Sequence, residues 1–228
     1  MVAEPNTASV AFLLGDPARA AMIAALMGGR ALTAKELAYW AAVNPPTASF
    51  HLAKLVRARL LAVVAQGRHR YYRLAGPEIA EVVEAIMGIA PTTNIEPRRH
   101  SRDVDEMRFA RTCYDHLAGR LGVGMTDVLA ERNMIRPAGH DFVLTKSGRE
   151  FMARFGIALD DVARSRRVFA RQCLDWSERR PHIGGILGAA LAERLFALGW
   201  LERRRNSRAV GITPKGHHAL RKTFAFEA

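Results

Sequence analysis

The sequence predicts a mainly α-helical fold with small β-hairpins, in two dissimilar halves, and three observations carry that prediction. Apolar residues recur at helical spacing through residues 1–90, interrupted by one pair of short strands around Gly67. A proline-broken stretch without periodicity follows at 91–102. Beyond it the chain repeats itself: Phe109-Ala110-Arg111-Thr112-Cys113-Tyr114-Asp115 returns as Phe169-Ala170-Arg171-Gln172-Cys173-Leu174-Asp175.

The elements of the first half follow from local chemistry. Asp16 suits a helix N-cap, and Pro17 suits the first helical position, where its missing N–H costs nothing. Ile23, Leu26 and Met27 then share one face. Thr33, with Glu36 three residues on, is the capping-box pattern that opens a second helix with Leu37 and Ala38 inward. Val43-Asn44-Pro45 makes a tight connection, and a third helix starts at Pro46. Leu52, Leu55 and Val56 form its inner stripe, leaving Thr47, Ser49, Phe50, His51 and Lys54 to face outward or toward the helix start. Leu61–Val64 and Tyr71–Leu74 read as the strands of a hairpin, and Glu78–Met87 as an amphipathic helix through Ile79, Val82, Val83 and Ile86.

Charge narrows the possible partners. From Leu37 to Pro77 there is no acidic residue, while Lys54, Arg57, Arg59, Arg68, Arg70 and Arg73 are basic. A one-signed helix-plus-hairpin surface, in a chain of formal net charge +12, fits a polyanion such as duplex DNA, because each neutralised phosphate releases counterions. Short polar side chains near a helix start are what a major groove accepts. No apolar run approaches the ~20 residues of a bilayer span, so a membrane is not expected as a partner. The N-terminal residues lack a basic region leading into a secretory signal, and two cysteines are too few for a disulfide scaffold, so a cytoplasmic location is expected.

Four motifs in order, Leu14-Gly15-Asp16-Pro17-x-Arg19, Leu32-Thr33-x-x-Glu36-Leu37-Ala38, Thr47-x-Ser49-x-His51-Leu52-x-x-Leu55 and Gly67-Arg68-x-x-Tyr71-Tyr72-Arg73-Leu74, resemble the ArsR-type winged-helix repressors over residues 1–90. The resemblance implies a homodimer on a double-stranded operator, a recognition helix at Pro46–Arg59, a wing at Ala65–Arg73, and repression relieved by a signal. It also places the helix after the wing in the dimer interface. DNA contacts are accordingly expected from Thr47, Ser49, Phe50, His51, Lys54 and Arg57 on the helix, and from Arg68, His69, Arg70 and Tyr72 on the wing. No cofactor is required for that role. Metal-sensing members carry a cysteine pair in the helix before the recognition helix; here Glu36–Ala41 holds none, and that chemistry does not carry over. Asn44-Pro45-Pro46 is also unusual where many members have a small polar cap.

The second half, 103–228, is expected to be two like units, about 103–160 and 161–228, packed about a pseudo-two-fold axis and serving as sensor. Gly119-Arg120-Leu121-Gly122 matches Gly185-Ile186-Leu187-Gly188, and Leu144-Thr145-Lys146-Ser147-Gly148 matches Ile212-Thr213-Pro214-Lys215-Gly216, with offsets that grow along the chain. Each unit is expected to hold a long helix, a second helix, and a strand entering a helix, as in degenerate winged-helix units. On the long helix Cys113 and His116 would share a face, and Arg111–Asp115 and Arg171–Asp175 would be intrahelical ion pairs. Cys113, His116 and Cys173 are candidate metal or redox ligands if the two cysteines meet at the axis, with Trp176 as the non-ligating counterpart of His116; ordinary core packing is the competing reading. Trp176, His182 and Gly184-Gly185 mark a departure between copies where a small organic effector could bind. The basic turn Arg203–Arg208 is either a solvated turn or a second DNA contact. Two other classes fit the sequence less well. A Cys–His enzyme lacks an evident oxyanion hole or third group, and an architectural DNA protein has no need of a second half.

Overall fold

In the computed structural model of the chain, the described residues are 5–67, 69–91, 101–159, 167–204 and 207–226, with 101–104 described as backbone only. Two compact units divide between Val83 and Glu84.

The first unit contains α1 (Thr7–Leu14), α2 (Pro17–Leu26), β1 (Leu32–Thr33), α3 (Ala34–Trp40), α4 (Pro45–Arg57), β2 (Leu61–Gln66) and β3 (His69–Leu74); α5 (Pro77–Ile89) begins in it. The caps form as their residue types dictate. Asp16 accepts from the Arg19 amide, and Thr33 and Glu36 close a full capping box. Asn44 accepts from the Thr47 amide at 2.9 Å, so the unusual Asn-Pro-Pro start is itself a capped helix beginning one residue earlier than predicted. Strands order as β1-β3-β2, all antiparallel, with Leu61 opposite Leu74 and Gln66 opposite His69. Met22, Ile23, Leu26, Met27, Leu37, Leu52, Leu55, Leu61 and Leu74 are buried and form the core. Arg19 explains why the Gly-Asp-Pro-x-Arg run belongs together. Its guanidinium donates to the carbonyls of Leu13 (2.6 Å) and Phe12 (2.8 Å), so one buried cation satisfies the exposed end of α1.

The second unit runs α6 (Ser101–Phe109), β4 (Arg111–Cys113), β5 (His116–Ala118), α7 (Gly119–Glu131), β6 (Ile135–Ala138), β7 (Asp141–Leu144) and α8 (Lys146–Arg154). The same order then recurs as β8 (Gln172–Leu174), β9 (Pro181–Ile183), α9 (Gly185–Ala197), β10 (Leu201–Arg203), β11 (Val210–Ile212) and α10 (Pro214–Phe224). The two copies interlock reciprocally. Helix α7 packs on β9 and α9 on β5. Phe142 N–H donates to the Ala170 carbonyl and Val210 N–H to the Ala110 carbonyl, the same bond made in both directions. Each second helix starts at a glycine of positive φ, Gly119 at +76° and Gly185 at +70°, where a Cβ would stand 2.6 Å from a carbonyl oxygen of the preceding segment. The two cores merge into one around Leu121, Leu129, Leu187, Leu195 and Phe224.

One expectation fails here. Phe109–Asp115 is not a long helix: α6 stops at Phe109 and a strand follows. Tyr114 turns at φ 57° to bring Cys113 opposite His116. In the second copy the turn is longer, 175–180, which is why the offset between copies grows between cysteine and histidine. Arg111 and Asp115 therefore make no intrahelical pair, and neither do Arg171 and Asp175. Arg111 instead reaches across the repeat to Asp175, 2.9 Å away, with both side chains fully buried.

Candidate nucleic-acid interface and a cysteine–histidine cluster

The recognition-helix candidates are distributed as follows. Ser49, Phe50 and Arg57 are exposed on α4, and Thr47 and Lys54 are half-buried. Lys54 Nζ sits 4.2 Å from the Phe50 ring centre, so cation and ring travel together on the outer face. Ser49 Oγ donates to the Pro45 carbonyl at 3.0 Å. His51 is set differently: its Nδ1 lies 3.5 Å from Arg19 and 3.9 Å from Asp16, turned toward the start of α2. The Arg19 and His51 charges and the Arg19 amide lower the Asp16 carboxyl against its slight burial, with the amide contributing most. On the wing, His69 and Arg70 are exposed at the tip. Tyr72 is half-buried in the middle strand between Leu32 and Val63. Arg68 lies outside the described residues. The fold therefore presents a capped helix with polar and basic side chains outward, flanked by a basic hairpin, and that defines a winged helix-turn-helix DNA-binding module.

Comparison with known proteins agrees. A helix-turn-helix domain family matches residues 14–64. The HTH-type transcriptional regulator YdfF of Bacillus subtilis is 45% identical over 218 residues, 96% of each chain. Among solved structures, NolR from Sinorhizobium fredii is similar at 17% identity, covering 41% of this chain and all of its own, with a TM-score of 0.35. The transcriptional repressor BigR from Xylella fastidiosa is similar at 23%, covering 38% of this chain and 87% of its own, also at 0.35. The chain belongs to the HTH-type transcriptional regulators. No single helix among the described residues is long and apolar enough to cross a membrane.

The second unit gathers its own chemistry. Cys113 and His116 are directly opposed across β4–β5, and Cys173 and His182 across β8–β9. All four meet: the two Sγ atoms are 3.9 Å apart and the imidazole centres 5.1 Å apart. Sequence reasoning identified three of the four and missed His182. Its true repeat mate is His116, at the same offset that relates Gly119 to Gly185, and that offset was the available signal. Trp176 is not the counterpart of His116; it stacks on the Arg111 guanidinium at 4.4 Å. Nor do His182 and Gly184 open onto an effector pocket, since both turn into the cluster while Trp176 lines a polar surface hollow with Arg108, Arg120 and Arg179.

Electrostatics separate the two thiols. Burial pushes Cys113 well up, aided by Cys173 and the Glu84 carboxylate. Cys173 is pushed well down, first by the hydrogen bond it accepts from Cys113, which outweighs its burial, and then by His116 and His182. Burial lowers His116, but Asp115 at 3.2 Å from its Nδ1, together with Cys173, outweighs that and raises it to about 9. Burial would raise Asp175, yet Arg111, Ser177 and the amides of Gly119 and Glu178 overcome it and hold the carboxyl well below the usual range. Asp175 thus fastens the second copy to the start of α7 in the first, through a 2.6 Å bond from Gly119 N–H. The basic turn is partly outside the described residues. Of its described arginines, Arg208 is buried 3.9 Å from Glu84, and Arg204 pairs with Glu202.

Proposed function

We propose that this regulator is a homodimeric repressor that binds a specific double-stranded operator and is released by an effector acting on the second unit. The observation that carries the DNA reading is α4: a capped helix with Ser49, Phe50, Lys54 and Arg57 outward, in a stretch without a single acid. Each α4 enters a major groove, with half-sites about 10 bp or a multiple apart, while His69 and Arg70 track phosphates beside it. A homodimer is supported by α5, whose Val82, Ile86 and Ile89 leave an exposed apolar row at helical spacing. The duplicated unit, with a buried ionic and thiol network unrelated to DNA contact, supports a sensing role. The domain reading that goes with this places DNA binding in 1–90 and sensing in 103–228.

The test is footprinting and competition. The full chain protects a defined, two-fold symmetric site that random duplex fails to displace at equal concentration. Substituting Ser49 changes sequence preference, whereas Arg70→Ala weakens all sequences alike. Equal affinity for random duplex would make the protein architectural instead. If residues 1–90 regulate as the full chain does, the sensing role is wrong.

A further inference from the structure

Two hairpins, one from each copy, deliver four nitrogen and sulfur donors to one buried point. Directly opposed residues of an antiparallel pair send their side chains to the same face, so each hairpin presents one cysteine and one histidine together. The copies face each other, and the four donor atoms all lie within 4.8 Å of one another. We propose that Cys113, His116, Cys173 and His182 form a four-coordinate site for a d10 cation, Zn²⁺ foremost, that ties the two copies of the second unit together.

The distances favour a metal over a disulfide. A tetrahedral ion with Zn–S bonds of about 2.3 Å holds its two sulfurs roughly 3.8 Å apart. The observed separation is 3.9 Å, whereas a disulfide requires about 2.05 Å. The nitrogens ask for a partner as well. The Nε2 atoms of His116 and His182 are buried with no hydrogen-bond partner among the described residues, a costly arrangement in a protein interior. Each histidine also has a carboxylate at Nδ1: Asp115 at 3.2 Å from His116, and Asp175 at 3.6 Å from His182. Such outer carboxylates orient a ligand imidazole and leave its Nε2 for the ion. Close approach is kept open by Gly184, where a Cβ would stand 3.2 Å from His116 Nε2 and 3.3 Å from the Cys173 Cβ.

Donor chemistry selects the cation. Two thiolates and two imidazoles suit Zn²⁺ and its heavier congeners and reject Mg²⁺ and Ca²⁺, and two thiolates neutralise a dication without importing a counterion. Four protein ligands leave no open position for a reacting water, so the site is structural or regulatory rather than hydrolytic. All four ligands lie in the second unit, so the inference stands independently of operator binding.

The test uses the full-length reduced chain, stripped with a chelator and titrated with Co²⁺ and then Zn²⁺. One equivalent of Co²⁺ gives the intense visible bands of a tetrahedral ion and a thiolate charge-transfer band, and Zn²⁺ abolishes both. X-ray absorption on the Zn²⁺ form of the wild type, which needs no variant to fold, shows two sulfurs near 2.3 Å and two nitrogens near 2.0 Å. Asp115→Asn lowers Zn²⁺ affinity by ~10–100-fold, and His182→Gln and Cys113→Ser lower it further. His217→Gln, on the exposed face of α10, leaves it unchanged. A weak octahedral cobalt spectrum, absence of sulfur in the absorption shell, or unaltered affinity in Cys113→Ser/Cys173→Ser would overturn the proposal. So would a reduced protein that takes up no metal and closes a Cys113–Cys173 disulfide in air.

Discussion

Replacing Arg111 by methionine tests how the second unit is held together. Methionine keeps most of the packed stem but removes the cation, while Asp175 remains fully buried and ionised, with its hydrogen bonds from Ser177 and the amides of Gly119 and Glu178 intact. A buried carboxylate that loses its partner in this way destabilises a protein by about 3–5 kcal/mol. Loss of the guanidinium stacked 4.4 Å from Trp176 adds about 1 kcal/mol. For a unit of this size, a loss of about 5 kcal/mol lowers the melting temperature by roughly 10–20 °C. The assay is urea and thermal unfolding of the full chain in chelator, followed by circular dichroism and by tryptophan fluorescence, to which Trp176 responds locally. Asp175→Asn placed on top of Arg111→Met recovers part of the loss, because the stranded charge goes, with a coupling of about 1–3 kcal/mol. The reasoning is refuted if Arg111→Met costs under about 1 kcal/mol, or if the double variant is no more stable than the single one.

Other outcomes follow from the same geometry. Arg70→Ala, at the exposed wing tip, lowers the slope of log affinity against log salt by about one, as one lost phosphate contact requires; an unchanged slope removes the wing from the interface. Val82→Asp on the exposed row of α5 converts dimer to monomer in sedimentation at micromolar concentration, and an unaffected dimer places the interface elsewhere. Thr213→Ala removes the N-cap of α10, which accepts from Gly216 N–H and donates to the Gly199 carbonyl, and costs about 1 kcal/mol in urea titration. Thr145→Ala in the other copy costs a similar amount, and a neutral result at both would mean that the matching caps contribute nothing. Free Zn²⁺ at about a hundred times its dissociation constant raises unfolding stability by roughly 2.7 kcal/mol, and chelator removes it.

Local chemistry was legible wherever neighbours in sequence decide the structure. Asp16 and Thr33–Glu36 cap helices because a short oxygen-bearing side chain reaches amides only three residues away. The helix-turn-helix and its wing could be read for the same reason: their amphipathic stripes, proline starts and Gly67 turn all act within a few residues. The duplication was visible because both copies keep the same glycines at the same tight helix starts.

Tertiary structure decided the rest. Cys113 and His116 sit at a spacing that a helix and a two-residue hairpin serve equally well, and nothing local breaks the tie. The hairpin wins because its strands bond to the other copy, Thr112 N–H to the Arg208 carbonyl and Val210 N–H to the Ala110 carbonyl. That choice sends Arg111 to Asp175 rather than to Asp115, and it puts His182 beside His116 although a longer turn separates it from its cysteine. Sequence by itself marked Cys113, His116 and Cys173 as residues that the second unit could gather, and left His182 out. Only the pairing of the two copies, which depends on contacts between residues far apart in sequence, such as Phe142 with Ala170 and Val210 with Ala110, determined that the four donors meet.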